Sequence, residues 1–427
     1  MSPCTRMRTL YLCYFGLREP LVQTQVLPYL RQLGEAGIEV SLLTFEPNKR
    51  RLWSPEDVEE WRTRLQVDGI HWYFLPYHKR PSLPATVYDI AAGAWLASRL
   101  LCHNRIDVLH ARSHVGAAIG TLAKKWSGGS LIFDIRSFFP EEYVDAGRWP
   151  AGGFLYRLTK AAERRLFAAA DGFVVLTTQA RSILFPGCLE TDHLGRPVEI
   201  IPCCVDVNRF RAVDYLSKEY IRKELGLAKR RVLTYVGALG GWYLTQELAE
   251  FLAVARRHDP TTFSIILTQS PPEMITVPLK RLGVAAKDYL IRQVSPNEVP
   301  LYLKAADVGL SFIKACYSKL SSSPTKIAEY LASGIPVISN AGIGDLDRII
   351  ESDRVGIILR DLRQEAYLQA LHKVDELLRD SDVSNRCRTS ARKRFDLQSI
   401  GGPGYRRLYQ RLVEKHKPRV VTSHVTV

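Results

Sequence analysis

The sequence predicts an α/β protein built from two doubly wound parallel-sheet domains that face each other across a cleft. Three observations carry this expectation. A chain of 427 residues exceeds what one ordinary hydrophobic core supports, so two domains of about 200 residues each are expected. The composition, 46% hydrophobic and 24% charged, is that of a folded globular protein without disorder or coiled-coil bias. Short apolar or β-branched runs then alternate with amphipathic stretches along the chain, as in strands covered by helices on both faces.

In the first half the runs are TLYLCYF (9–15), IEVSLLTFE (38–46), IHWYFLPYH (70–78), IDVLHARS (106–113), LIFDIRS (131–137), GFVVLTT (172–178) and EIIP (199–202). The first follows a basic N-terminus and superficially resembles a leader peptide. Its apolar stretch is only about seven residues long and runs into Arg18 and Glu19, so it reads as a strand. Between the first two strands, VQTQVLPYLRQLGEAG (22–37) puts Val22, Val26, Tyr29, Leu30 and Leu33 on one helical face, with Pro28 as a kink and Gly34 or Gly37 as the stop.

A basic, helix-breaking stretch, RKELGLAKRR (222–231), precedes a second series: RVLTYVGAL (231–239), TFSIILTQ (262–269), DYLIRQV (288–294), DVGLSFI (307–313), PVISN (336–340) and VGIIL (355–359). The expected boundaries are therefore 1–205 for the first domain, 206–395 for the second, and 396–427 for a terminal segment. In that segment GPGYRRLYQRLVEKH reads as a helix that caps the second domain or crosses back to the first, followed by a flexible tail.

The net charge of +15, from 59 basic and 44 acidic side chains, points to an anionic partner. The basic residues are scattered and accompany no aromatic-rich basic sheet motif, so nucleic acid is not expected. Eight cysteines include no CxxC pair and no Cys/His cluster of zinc spacing, and most of them read as buried thiols in a reduced compartment. The longest apolar stretch, AAGAWLASRLLC (91–102), is interrupted by Arg99 and falls short of the roughly 18 residues a membrane span needs. The expectation is a cytoplasmic protein. FLYRLTKAAERRLFAAADG (154–172) sets Arg157, Lys160 and Arg164 beside Phe154, Leu155, Leu158 and Leu166, which suits either a covering helix or peripheral contact with an anionic membrane.

The densest cluster of signals is SSSPTKIAEYLASGIPVISN (321–340). Ser323 reads as an N-cap, Pro324 as the first helical residue and Gly334 as the stop. A helix start offers unpaired N–H groups and a partial positive charge, and with Ser322, Ser323, Thr325 and Lys326 nearby it is a natural phosphate seat. Glu329, one turn on, can accept hydrogen bonds from a ribose diol. The plainer alternative is an i,i+3 ion pair between Lys326 and Glu329 on a solvated face, worth about 0.3 kcal/mol. The strand PVISN and the turn GIGD (342–345) follow directly, at the carboxyl edge where doubly wound sheets bind ligands.

This stretch resembles the donor-nucleotide motif of family 4-like retaining glycosyltransferases, which have the GT-B fold of two Rossmann-like domains. IIPCCVDVNRF (200–210), LTYVGALGGW (233–242) and AADVGLSFI (305–313) are similar to further segments of that family. The resemblance implies a glycosyltransferase that moves a sugar from a nucleoside diphosphate sugar to an acceptor hydroxyl with retention of configuration. The acceptor would be a glycan or a lipid-linked molecule, as in cell-surface polysaccharide or glycolipid synthesis. The nucleoside diphosphate sugar is a substrate, and no cofactor and no metal are implied. An epimerase or hydrolase of the same fold, or a non-catalytic nucleotide-sugar-binding protein, are the alternatives. An NAD-dependent oxidoreductase is disfavoured because FGLREP and VGALGG lack G-x-G-x-x-G.

Carried over by position, the resemblance implies donor binding by Glu329, Lys326, Thr325, Ser323, Ser322, Gly240 and Gly241. A glutamate that the family usually carries eight residues before Glu329 is replaced by Ser321, and the family's basic pair after the first strand of this domain falls at Ala238 and about Tyr243. Lys319 is then the next candidate counter-charge after Lys326. His110, at the end of the fourth strand, is the implied catalytic histidine, with Arg112 and His114 behind it. Asp134, Arg136 and Glu141 are expected in the cleft, on the acceptor side.

Overall fold

The protein is described by a computed structural model that covers residues 7–47, 53–78, 80 and 82–416. Among these residues a seven-stranded sheet has the order β3-β2-β1-β4-β5-β6-β7 and a six-stranded sheet the order β10-β9-β8-β11-β12-β13. The first comprises β1 (Arg8–Leu12), β2 (Glu39–Pro47), β3 (Ile70–Tyr77), β4 (Val108–Arg112), β5 (Ser130–Asp134), β6 (Gly172–Val175) and β7 (Val198–Ile200). The second comprises β8 (Arg231–Val236), β9 (Thr262–Leu267), β10 (Tyr289–Arg292), β11 (Val308–Ser311), β12 (Val337–Asn340) and β13 (Gly356–Leu359). All pairings are parallel.

Each expected run overlaps one of these strands, and most runs continue past the strand end into loops at the carboxyl edge. The runs are continuous rather than alternating in hydrophobicity because both faces are covered. One face of the first sheet packs Leu10, Leu43 and Phe133, and the other Tyr11, Leu42 and Ile132. These are two Rossmann-like domains.

The segment around Pro28 is two helices, Pro20–Gln25 and Leu27–Glu35, broken at Val26. Proline cannot donate an N–H and crowds the preceding turn, so the chain restarts there instead of bending. Val22, Val26, Tyr29, Leu30 and Leu33 are all buried.

Two passages join the halves and run side by side. After β7 the chain leaves the first domain, and after the Val383–Phe395 helix it returns. Val205 N donates to Phe395 O at 2.8 Å, and Leu397 N to Val205 O at 2.9 Å. The final Gly402–His416 helix lies on the first sheet, where Leu408, Tyr409 and Leu412 share a core with Tyr11, Val108 and Ile132. Tyr405 Oη donates to Asp134 Oδ2 at 3.1 Å inside this core. Tyr405→Phe is expected to cost about 2 kcal/mol, since it takes a hydrogen bond from a buried carboxylate, and a lower denaturant midpoint with unchanged slope would register it. Among the described residues no helix is long and apolar enough to cross a membrane.

Candidate functional site

The site is built where the loop after β8 meets the Thr325–Ala332 helix. Gly237, at φ 136°, brings the loop so near Lys326 that a Cβ there would stand 2.9 Å from Nζ. The conformation calls for glycine, and the close approach sets it against the flexible end of Lys326. The Lys326 ammonium lies over the Tyr235 ring at 4.0 Å and the Tyr243 ring at 4.5 Å, and its Nζ is buried without a hydrogen-bond partner. Burial pushes its pKa down from 10.5 to about 7, against the opposing pull of Glu329.

Glu329 is buried on the same helix, with Oε1 3.2 Å from Arg209 Nη2 and, among the described residues, no hydrogen-bond partner at Oε2. Burial pushes this carboxyl up, and Arg209 and Lys326 pull against it. Lys326 and Glu329 form no ion pair, and neither is on a solvated face. The surface-pair alternative is thereby removed: the helix fills the space between its own domain's sheet and the interdomain passages, which leaves no exposed side for these two residues.

The helix starts one residue later than expected. Pro324 takes the N-cap position with extended backbone, and no side chain caps the helix. Ser323 Oγ instead accepts from Cys203 N at 3.1 Å in the interdomain passage. Ser321 is buried, its Oγ accepting from Phe138 N at 3.3 Å and donating to Ser318 O at 2.7 Å. The serines are thus engaged in holding the two domains together. Thr325 is the first residue of the helix. Ser322 and Ser323 line a cavity of about 200 Å³ whose other walls include Thr177, Asp345, Arg348 and Arg394. The GIGD turn is also an interdomain contact, because Asp345 Oδ2 accepts from Thr178 N at 2.7 Å.

A larger cavity of about 740 Å³ lies between the domains. Its first-domain wall comes from the carboxyl ends of the strands, at Tyr14, Tyr77, Ser113, His114 and Ser137, and its second-domain wall from Gly241, Trp242 and Lys314. Gly241 has φ 61° and Gly240 φ 73°, which shapes the turn that presents Trp242. Lys319 sits 4.0 Å over the Trp242 ring, and its Nζ donates to Glu142 Oε1 at 2.6 Å across the interface. Glu142 lines the cavity. Its neighbour Glu141 is engaged with Tyr156 Oη and Lys160 Nζ, both at 3.1 Å.

His110 does not reach this cleft. It is fully buried beneath the C-terminal helix, with Nδ1 3.0 Å from Tyr409 Oη and Nε2 3.7 Å from Asp134 Oδ2. β4 directs residue 110 to the sheet face that the returning helix covers, and burial pushes the imidazole pKa down despite Asp134. Arg112, Asp134 and Arg136 belong to the same enclosed polar cluster, with Arg112 Nη1 3.9 Å and Arg136 Nη1 3.3 Å from the Asp134 carboxylate. Burial raises the Asp134 pKa, but Arg136, His110 and Arg112 outweigh it and hold the carboxyl well below its usual range. None of the four lines either cavity.

Four contributors escaped the sequence reading: Tyr235 and Tyr243 around Lys326, Arg209 on Glu329, and Glu142 on Lys319. Tyr243 stands about where the family's basic residue is missing, and Arg209 lies inside IIPCCVDVNRF. Their partners are 83 and 120 residues away, and only folding brings them together. Among the described residues no group of three or more His, Cys, Asp or Glu side chains is arranged to hold a metal ion.

Two parallel, doubly wound sheets with a ligand-sized cleft at their carboxyl edges define the GT-B class. Solved structures agree. Sucrose-phosphate synthase from Thermosynechococcus elongatus superposes with a TM-score of 0.73 at 15% identity, over 96% of this chain and 100% of that one. HepE of Anabaena, in complex with UDP-glucose, gives 0.67 at 15% identity over 95% and 100%. WaaG, a glycosyltransferase involved in lipopolysaccharide biosynthesis, gives 0.63 at 18% identity over 93% and 98%. At such identities the likeness shows the fold. Residues 22–185 match the family model for a glycosyl transferase 4-like domain and residues 217–394 that for glycosyl transferases group 1, and the chain belongs to this glycosyltransferase family. No curated protein sequence matches it. The protein is a transferase of sugars.

Proposed function

We propose that the enzyme takes a sugar from a nucleoside diphosphate sugar and places it, with retention of configuration, on the hydroxyl of a glycan or lipid-linked acceptor. The reading rests above all on Lys326, a buried ammonium without a partner at the start of a helix beside a glycine loop. An unpaired buried charge is costly, and a diphosphate would compensate it. Glu329 Oε2 would accept from the ribose hydroxyls one turn away. The amine is enclosed by Gly237 and two rings, and its flexible stem allows it to rotate toward a phosphate. A departing diphosphate held by Lys326 and the helix N-terminus requires no resident cofactor and no metal.

UDP is the first probe, because HepE has been solved with UDP-glucose. Thermal-shift screening with UDP, GDP, ADP and TDP should single out one nucleotide, a ligand at about 100 times its Kd adding roughly 2.7 kcal/mol. With the matching sugar nucleotide, diphosphate release should depend on acceptor and survive chelators, and the product anomer read by NMR should keep the donor's configuration. Acceptor-independent release would instead indicate a hydrolase.

Above about pH 7 the free amine of Lys326 is largely neutral, whereas a bound diphosphate favours its charged form. Binding should therefore take up a proton, and UDP affinity should fall by up to about tenfold per pH unit as pH rises beyond about 7. Calorimetry in buffers of different ionisation enthalpy measures this directly, and a pH-independent Kd would exclude Lys326 from the site.

The acceptor side is proposed to approach an anionic membrane from its inner, cytoplasmic face. Phe154, Leu155 and Leu158 are exposed at the start of the Phe154–Ala169 helix, next to exposed Arg157, Arg164 and Arg165. Sedimentation with anionic vesicles at low salt, lost at high salt, is the expected behaviour.

A further inference from the structure

We propose that His114, held by Glu163, is the positioning residue that accepts a hydrogen bond from the acceptor hydroxyl in the 740 Å³ cavity. The inference builds on the transfer reading above and assigns the acceptor side of the same cleft. His114 lies in the first turn of the Ser113–Ser127 helix and lines the cavity, although only 7% of it is exposed. Its Nε2 is 2.9 Å from Glu163 Oε1. Glu163, itself buried on the Phe154–Ala169 helix, is also bonded to Lys160. Burial raises the Glu163 pKa, but the bonds from His114 and Lys160 outweigh it, so the group is a carboxylate.

A carboxylate only accepts hydrogen bonds, so Nε2 must carry the proton and, in the neutral ring, Nδ1 presents a lone pair. Among the described residues Nδ1 has no hydrogen-bond partner, and it is not among the buried atoms left unpaired. It therefore keeps some exposure, on a residue that lines the cavity. The ring cannot turn freely, since Phe139 stacks on it at 5.2 Å and Phe133 meets it edge-on at 5.2 Å. Ser113, immediately before it, adopts φ 63°, a strained conformation for a non-glycine residue of the kind that clusters at functional sites. A fixed lone pair selects a hydrogen-bond donor, and aromatic walls at Tyr14, Tyr77 and Trp242 suit the flat faces of a sugar ring. The chemistry is that of a hydroxyl on a carbohydrate acceptor, with Glu163 acting through the histidine.

Long-range proton–nitrogen spectra of the full chain, with His114 assigned by the signal lost in His114→Phe, test this above the imidazole titration. Nδ1 should resonate as an unprotonated nitrogen and shift upfield when methyl hexopyranosides are added together with UDP. Glu163→Leu should scramble the tautomer and weaken glycoside binding about tenfold, leaving UDP affinity unchanged, while Glu163→Gln, which keeps an accepting oxygen, should restore most of it. A protonated Nδ1, or no shift with any glycoside of the panel, overturns the inference. So does an equal loss of UDP and glycoside binding in Glu163→Leu. Absence of UDP binding in the unaltered enzyme refutes the donor reading instead, and the tautomer and glycoside shifts then still decide this one.

Discussion

Lys326→Met is expected to make the fold more stable and to weaken nucleoside diphosphate binding strongly. The wild-type ammonium is enclosed between Tyr235, Tyr243 and Gly237 with no hydrogen-bond partner, and burial brings its pKa from 10.5 to about 7. The unfolded chain keeps its proton up to about 10.5 and the folded chain releases it near 7, so between these values the unfolded state binds more protons. Stability must then rise with pH across that window, and the deficit is complete below it. Methionine matches the length of the stem and carries no charge, so the variant should gain about 2 kcal/mol at neutral pH. It should also lose the alkaline rise in Tm. Losing the charge-assisted bonds to a diphosphate should weaken UDP by roughly 100-fold. A variant that is no more stable and binds UDP normally would falsify the assignment.

Glu329→Ala is expected to weaken UDP by about 2–3 kcal/mol, two hydrogen bonds to a charged acceptor, while leaving inorganic pyrophosphate binding unchanged. The contrast follows from position. Glu329 stands one turn beyond Lys326, with Oε1 engaged by Arg209 and, among the described residues, no hydrogen-bond partner at Oε2, which supports the proposed contact with the ribose rather than with the phosphates. Lys326→Met should lose both ligands and Glu329→Ala only the one with a sugar. Glu329→Gln keeps one accepting oxygen but not the second or the charge, and should fall between. Competition calorimetry with UDP and pyrophosphate separates these outcomes, and parallel losses for both ligands in Glu329→Ala would defeat the ribose assignment.

The strands were legible because each run had to be apolar on both faces. IDVLHARS and PVISN announce themselves by β-branched or apolar density, and parallel pairing requires nothing more specific than that. Most of the expected runs pass the strand end by two or three residues, since the carboxyl edge turns into cleft loops that carry apolar residues of their own, such as Leu176 and Phe312. The helix of Lys326 and Glu329 is legible from its proline, glycine and serines, but its N-cap is Pro324 rather than Ser323. Ser323 has the right chemistry for an N-cap, and a backbone N–H of the interdomain passage competes successfully for the same oxygen.

The histidine illustrates the limit more sharply. His110 and His114 stand four residues apart, and nothing local distinguishes them. The difference lies in what covers each: His110 faces Tyr405 and Tyr409 from the far end of the chain, whereas His114 starts the next helix at the cavity wall. Alternation within β4 sets the face toward which residue 110 points, but which face is closed by the returning helix is a property of the whole chain.

By itself the sequence determined the two-domain α/β architecture, the order of its elements and the presence of a cation and a carboxylate one helical turn apart, because these depend on local periodicity, turn chemistry and spacing. The tertiary structure alone decided that Lys326 is unpaired, that Glu329 leans on Arg209, that Ser321 and Ser323 join the domains, and that His114 rather than His110 meets the cleft. Each of these depends on burial and on partners distant in the chain, and burial is what gives an isolated ammonium or a tethered imidazole its chemistry.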